Sequence, residues 1–232
     1  MRKTLLIAAA ALAASVISSQ AQVYSQNIVG YVNIPVPSGS YVLLANPLDA
    51  GGTNAAADVI SRMVTNPSYD DSVILTFTGG HYAYFQYDQS TPGWLDQNGS
   101  PTTAPVLPPG KGFFFNNAGP TTNLTFVGTV VPAVGGTNTI TIPNGQYVLI
   151  GSALPVGGTP GDGTILNFPR QDGFSQAILT FTGGHYQYYS YDGGWVDQND
   201  NPTATPVFTV GQGFFFVNNG SPTNWIQTYT GN

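Results

Sequence analysis

Cysteine and glutamate are both absent from the 232 residues, only 5 residues are basic and only 2 are histidine. Without cysteine there are no disulfides, thiol nucleophiles or thiolate-held metals. So few cations cannot neutralise a run of phosphates, which argues against nucleic acid or an anionic membrane surface as a partner. Every one of the 11 acidic residues is aspartate, and the formal net charge is −6. Charge-poor and aromatic-rich, with 13 Tyr and 13 Phe, the chain has the opposite of a disordered composition. The abundant Gly, Pro, Thr and Asn favour strands and turns over helices.

Long apolar runs are equally scarce, and the main one opens the chain. Arg2 and Lys3 precede an apolar stretch from Leu5 to about Ile17, followed by Ser19-Gln20-Ala21. A charged start, a short apolar stretch and a small-x-small cut site make a secretory signal peptide. The stretch is shorter than the roughly 20 residues a spanning helix needs. No cysteine stands at the cut to carry a lipid. The expectation is a signal peptide over 1–21 and an exported mature chain from Gln22, without membrane insertion and located outside the cell, at its surface or in the periplasm. Removal of the leader leaves Arg62, Lys111 and Arg170 against the 11 aspartates.

What is present is a duplication. LTFTGGHY stands at Leu75–Tyr82 and again, letter for letter, at Leu179–Tyr186. GSYVLLANPLDAGGT at Gly39–Thr53 parallels GQYVLIGSALPVGGT at Gly145–Thr159, and GWLDQNGSPTTAPV at Gly93–Val106 parallels GWVDQNDNPTATPV at Gly194–Val207. GKGFFF at Gly110–Phe115 parallels GQGFFF at Gly211–Phe216. The offsets are 106 residues between Tyr41 and Tyr147, 104 between the octapeptides and 101 between Trp94 and Trp195. A period this long is a small domain rather than a solenoid unit. The expected organisation is an all-β chain of two tandem antiparallel sandwich or barrel-like repeats, 22–131 and 132–232. A single sandwich of interleaved halves is the alternative.

Within each repeat, short apolar runs follow Pro-x-Gly turns at Pro37–Gly39 and Pro143–Gly145. Ile74–Thr78, Gly79-Gly80 and Tyr82–Tyr87 predict a hairpin, because Gly-Gly accepts the positive φ of a two-residue turn. Three consecutive phenylalanines place rings on both faces of a strand, which predicts cover on both sides. Asn54–Met63 is the one helical candidate; its counterpart near Gly161–Phe168 is glycine-rich and reads as irregular. Ile28–Val32 resembles Phe126–Val130 and is echoed at Tyr229–Gly231. This N-terminal strand either pairs within its own domain or adds to the sheet of a neighbouring molecule.

The order YVLLANPL, ILTFTGGHYAYFQYD, GW, LPPGKGFFF, LTFVGTV resembles a loosely defined group of bacterial exported proteins. Their repeats pair a GWNLIS-P-like opening strand with a PGKGYWV-like strand and a closing GxV. Tyr41 and Tyr147 stand where that group often has Trp. The resemblance covers most of Gln22–Asn232 and implies an exported all-β module. It carries no activity and no site residues.

For chemistry the sequence offers little. His81 and His185 have no Gly-x-Ser-x-Gly elbow, His-Glu-x-x-His or second histidine in their repeats, and they read as residues that open a hairpin strand and bond a turn carbonyl. Asp96-x-Asn98 and Asp197-x-Asn199-x-Asn201 space oxygen ligands as a calcium loop begins. Pro101 and Pro202 follow, however, and no glutamate exists to complete a site, so an Asx-rich turn competes with a weak calcium site. No other cofactor is expected. A glycosidase needs two carboxyls at a set separation, for which Asp88 and Asp96 in the first repeat, or Asp192 and Asp197 in the second, are candidate pairs. No residue is assigned a catalytic role. The aromatics are the better candidates. Tyr82 and Tyr84 share one strand face with Trp94 nearby, and Tyr186, Tyr188 and Trp195 repeat the arrangement. Exposed, these would form platforms for sugars or a protein partner. The expected function is a non-catalytic surface or matrix protein acting by adhesion or self-association. Glycan binding through the Tyr/Trp hairpins is the alternative, and an aspartate-dependent glycoside hydrolase comes third.

Overall fold

Apolar runs punctuated by Pro-x-Gly and Gly-Gly turns fold as antiparallel strands in both repeats. The computed structural model describes residues 29–90, 92–161, 166–169 and 176–230; the leader read over 1–21 lies outside them. In the first repeat, strands β1 (Val29–Val36), β2 (Tyr41–Ala45), β3 (Val73–Thr78), β4 (His81–Asp88), β5 (Gly93–Leu95), β6 (Pro101–Thr102), β7 (Gly112–Asn116) and β8 (Thr122–Thr129) follow in order. The second has β9 (Thr137–Ile142), β10 (Tyr147–Gly151), β11 (Gln176–Thr182), β12 (His185–Tyr191), β13 (Trp195–Val196), β14 (Gly213–Asn218) and β15 (Thr223–Thr228).

The main sheet of the first repeat runs β2-β7-β3-β4-β5-β6, and that of the second runs β10-β14-β11-β12-β13. Each is backed by a two-stranded ribbon, β1 with β8 and β9 with β15. β1 therefore belongs to its own repeat, with Val29 opposite Thr129 and Val36 opposite Thr122. β9 plays the same part in the second repeat, so the N-terminal strand is not a spare copy.

Both hairpins turn on glycines at positive φ, Gly79 at 60° and Gly80 at 83°, Gly183 at 60° and Gly184 at 84°. There an L side chain would be strained. The helical candidate over Asn54–Met63 shortens to one turn, α1 (Ala56–Val59). Ile60 ends it by taking an extended backbone and bridging to Phe126 of β8, so a tertiary pairing outbids helix propensity. Of the segment near Gly161–Phe168, residues 162–165 lie outside those described.

Strand alternation splits the phenylalanine triplets. Phe113 and Phe115 enter the first core beneath the β1/β8 ribbon, with Ile74, Tyr87, Trp94, Leu124 and Phe126. Phe214 and Phe216 enter the second with Phe168, Phe208 and Trp225, whose indole N–H donates to the Leu166 carbonyl at 2.6 Å. The middle rings, Phe114 and Phe215, point the other way. They meet in a third cluster with Leu43 and Leu149, flanked by Leu75, Phe77, Leu179 and Phe181. This cluster is the seam between the repeats, and it answers what covers the second face of each FFF strand.

Candidate functional site: the seam and its cleft

The seam is a pseudo-two-fold arrangement whose main contacts come in reciprocal pairs. Phe77 meets Phe215 with ring centres 5.1 Å apart and planes at 90°; Phe181 meets Phe114 at the same 5.1 Å and 90°. Leu44 bridges Gln212, and Ile150 bridges Lys111. Ala45 N–H donates to the Gly211 carbonyl at 2.8 Å, and Gly151 N–H to the Gly110 carbonyl at 3.1 Å. The doubled Gly-x-Gly is what lets the chains come this close. A Cβ at Gly112 would lie 2.7 Å from the Leu149 carbonyl carbon, and one at Gly213 2.4 Å from the Leu44 oxygen. Such reciprocity is the contact pattern of a two-fold dimer, realised here within one chain.

Tyrosines rim this seam. Tyr82 and Tyr186, the last residues of the duplicated octapeptide, meet with their hydroxyls 3.4 Å apart. Burial, and then the contact with Tyr186, push the Tyr82 phenol well above the ordinary tyrosine range. Tyr41 edges onto Phe114 at 6.2 Å, and Tyr147 onto Phe215 at 6.3 Å. The four rings are linked through those two phenylalanines, yet each stays between 40% and 49% exposed. Tyr84 lies farther out and half-buried, its hydroxyl donating to Gln86 at 3.0 Å; Tyr188 is likewise half-buried.

The tryptophans sit elsewhere. Trp94 is buried against Tyr87, ring centres 5.3 Å apart, and Trp195 is half-buried against Tyr191 at the same 5.3 Å. Both belong to the inner faces of their sheets, so the hairpin tyrosines and the tryptophans do not form one platform. Strands β5 and β13 pair with the hairpins so that each tryptophan lies opposite Tyr87 or Tyr191, on the core side.

His81 and His185 open β4 and β12 as the spacing predicts, and both are exposed. Among the described residues neither imidazole meets a turn carbonyl. Asp96 Oδ1 accepts the Asn98 and Ser100 amides at 2.8 and 2.9 Å, and Asp197 Oδ1 those of Asn199 and Asn201 at 2.8 and 3.0 Å. These backbone bonds hold both carboxyls below their usual range. The geometry is that of paired Asx turns, and among the described residues no three His, Cys, Asp or Glu side chains gather to hold a metal.

The seam breaks its own symmetry at one place. Between β2, the outer strand of the first sheet, and the β11–β12 turn of the second repeat lies a cleft of about 730 Å³. Ser40, Tyr41, Phe181, Thr182, Thr209 and Gln212 line it among others, and among the described residues no acid, lysine, arginine or histidine lines it. At the equivalent place beside the β3–β4 turn stands Lys111, whose ammonium donates to the Phe77 carbonyl at 3.1 Å and to Thr78 Oγ1 at 3.3 Å. Gln212, its counterpart, folds back instead, its side-chain oxygen accepting from Thr209 N–H at 2.9 Å and Thr209 Oγ1 at 3.2 Å. Sequence reading passed over Tyr41, Tyr147, Lys111 and Gln212 as site residues. The available signal was the Lys/Gln difference inside an otherwise identical Gly-x-Gly-Phe-Phe-Phe.

No protein-family model matches the chain, and no curated protein or solved structure matches it either. No helix among the described residues is long and apolar enough to cross a membrane.

Proposed function

We propose that this is an exported, non-catalytic surface or extracellular-matrix protein that works by adhesion, with the seam between its repeats as the contact surface. The observation that carries this reading is the group of four half-exposed tyrosines, Tyr41, Tyr82, Tyr147 and Tyr186, held at the seam by Phe114 and Phe215. Tyrosine presents a flat apolar ring with a polar tip and loses little conformational freedom on contact, which suits it to recognition surfaces. Export is supported by the leader-like N-terminus. Self-association by donation of the N-terminal strand finds no support, because β1 is the partner of β8 within the repeat.

The test is co-sedimentation of purified 22–232 with bacterial envelope and matrix material. Adhesion predicts saturable retention that falls about tenfold in Tyr82→Ala with Tyr186→Ala, at about 0.5–1.5 kcal/mol per ring. Retention unchanged in that double variant overturns the tyrosine seam as the contact surface. Concentration-dependent oligomers on a sizing column, with no retention on envelope material, would return self-association as the main role.

A further inference from the structure

We propose that the cleft between β2 and the β11–β12 turn binds an uncharged glycan, whose hydroxyls take the place that the Lys111 ammonium occupies in the other half of the molecule. The inference deepens the adhesion reading by naming a ligand class at the same seam.

The first repeat shows what its turn accepts. In the twin position, a donor at the end of a flexible arm meets one main-chain carbonyl, Phe77, and one hydroxyl, Thr78. The duplicated octapeptide provides the same pair in the second repeat, the Phe181 carbonyl and the Thr182 hydroxyl, and both residues line the open cleft. Gln212 is turned away onto Thr209, so among the described residues no side chain plays the part of Lys111 there. The carbonyl and hydroxyl are thus left accessible to a hydrogen-bond donor supplied from outside.

The surroundings choose among donors. With no carboxylate among the described lining residues, a cationic ligand would leave water without a counter-charge, and burial already lowers the Lys111 pKa in the twin site. An anion would meet neither a cation in the cleft nor a favourable field from this acidic chain. A neutral polyol avoids both costs. Its hydroxyls both donate and accept, which fits the mixed lining of Ser40, Thr182, Thr209 and the Gln212 amide. Tyr41, half-exposed at the cleft and supported edge-on by Phe114, supplies a ring against which the apolar face of a sugar can lie. The volume is in the range of small-ligand clefts, about 300–1,000 Å³.

Exchanging the two halves' chemistry tests the proposal. Gln212→Lys should close the cleft as Lys111 closes its twin, and Lys111→Gln should open a second one. Titration calorimetry of the whole mature chain uses cellohexaose and mannohexaose as neutral probes, trigalacturonate as a charged one, and an uncharged Gly/Ser/Thr hexapeptide. The expected result is one site per chain for a neutral hexasaccharide, weakened at least about tenfold by Gln212→Lys and by the near-isosteric Thr182→Val. Lys111→Gln should raise the stoichiometry to two, with trigalacturonate and the peptide silent. Near-ultraviolet circular dichroism checks that each variant keeps its packing. Absence of binding to both neutral hexasaccharides overturns the proposal, as does unchanged affinity in folded Gln212→Lys or occupation by the peptide instead. In those cases envelope retention that still depends on Tyr82 and Tyr186 would leave the adhesion reading standing without the cleft.

Discussion

The Tyr82 phenol stays protonated where an ordinary tyrosine ionises, because burial first, and then the contact with Tyr186, disfavour the phenolate. The unfolded chain loses that proton near pH 10 while the folded chain keeps it, so stability falls as pH rises through and above that value. Urea denaturation between pH 8 and 11.5 should show a decline above pH 10 that is shallower in Tyr82→Phe, which has no proton to lose. Identical slopes would mean that the two hydroxyls at the seam are not coupled to folding. Asp96 and Asp197 carry the opposite sign. Their carboxyls are held low by the Ser100 and Asn98 amides and by the Asn199 and Asn201 amides, so the stability they add is present above the ordinary aspartate pKa. It is lost as pH falls through the lowered one. Because the same oxygens already serve backbone amides, millimolar calcium should leave the melting temperature of residues 22–232 unchanged. A calcium-dependent rise abolished by Asp96→Ala with Asp197→Ala would instead restore the calcium reading.

At the scale of the element, the glycines of the repeated Gly-x-Gly and of the hairpin turn answer to different physics. Gly213→Ala drives a Cβ to 2.4 Å from the Leu44 carbonyl oxygen, and a backbone atom cannot swing aside. Its expected cost is about 1–3 kcal/mol, with the two repeats loosened at the seam. Gly79→Ala meets nothing within 4 Å but must hold φ at 60°, at about 1–2 kcal/mol and with the seam intact. Urea unfolding with tyrosine fluorescence separates the two, because only the first should also change the Tyr82–Tyr186 environment. The hairpins and the strand content were readable in the sequence, since period-two alternation and Gly-Gly turns are local signals. The seam was readable only by half: FFF says that both faces of β7 are covered, but nothing local says that Phe114 meets Phe181 rather than another layer of its own repeat. The tryptophans failed for the same reason. Trp94 lies near Tyr82 and Tyr84 in the chain, but its place opposite Tyr87 is set by the β4–β5 register, which sends it to the core. The partner of β1 was undecided because β8 lies about ninety residues away and a neighbouring molecule could offer the same edge.

For the molecule as a whole, the decisive feature is that the repeats are joined twice, once by the chain and once by the seam. The chain crosses between them through the short stretch between β8 and β9, where Val134 is exposed and Gly135 N–H bonds the Tyr229 carbonyl. The seam joins them through Leu43, Phe114, Leu149 and Phe215, all buried, together with the reciprocal backbone bonds at Ala45 and Gly151. Apolar burial of four such side chains, at about 1.5–3 kcal/mol each before entropy costs, should hold the halves together without the covalent link. A protease site inserted beside Val134 should therefore give a cut protein whose halves co-elute as one particle and unfold in one transition. Phe114→Asp with Phe215→Asp buries two unpaired charges at the same seam, and the cut halves of that variant should separate. Separation of the cut wild-type halves would make the chain link, not the packing, the source of their union. It would also part Tyr82 from Tyr186 and so divide the group of four tyrosines into two pairs, each still resting on the phenylalanine of its own sheet.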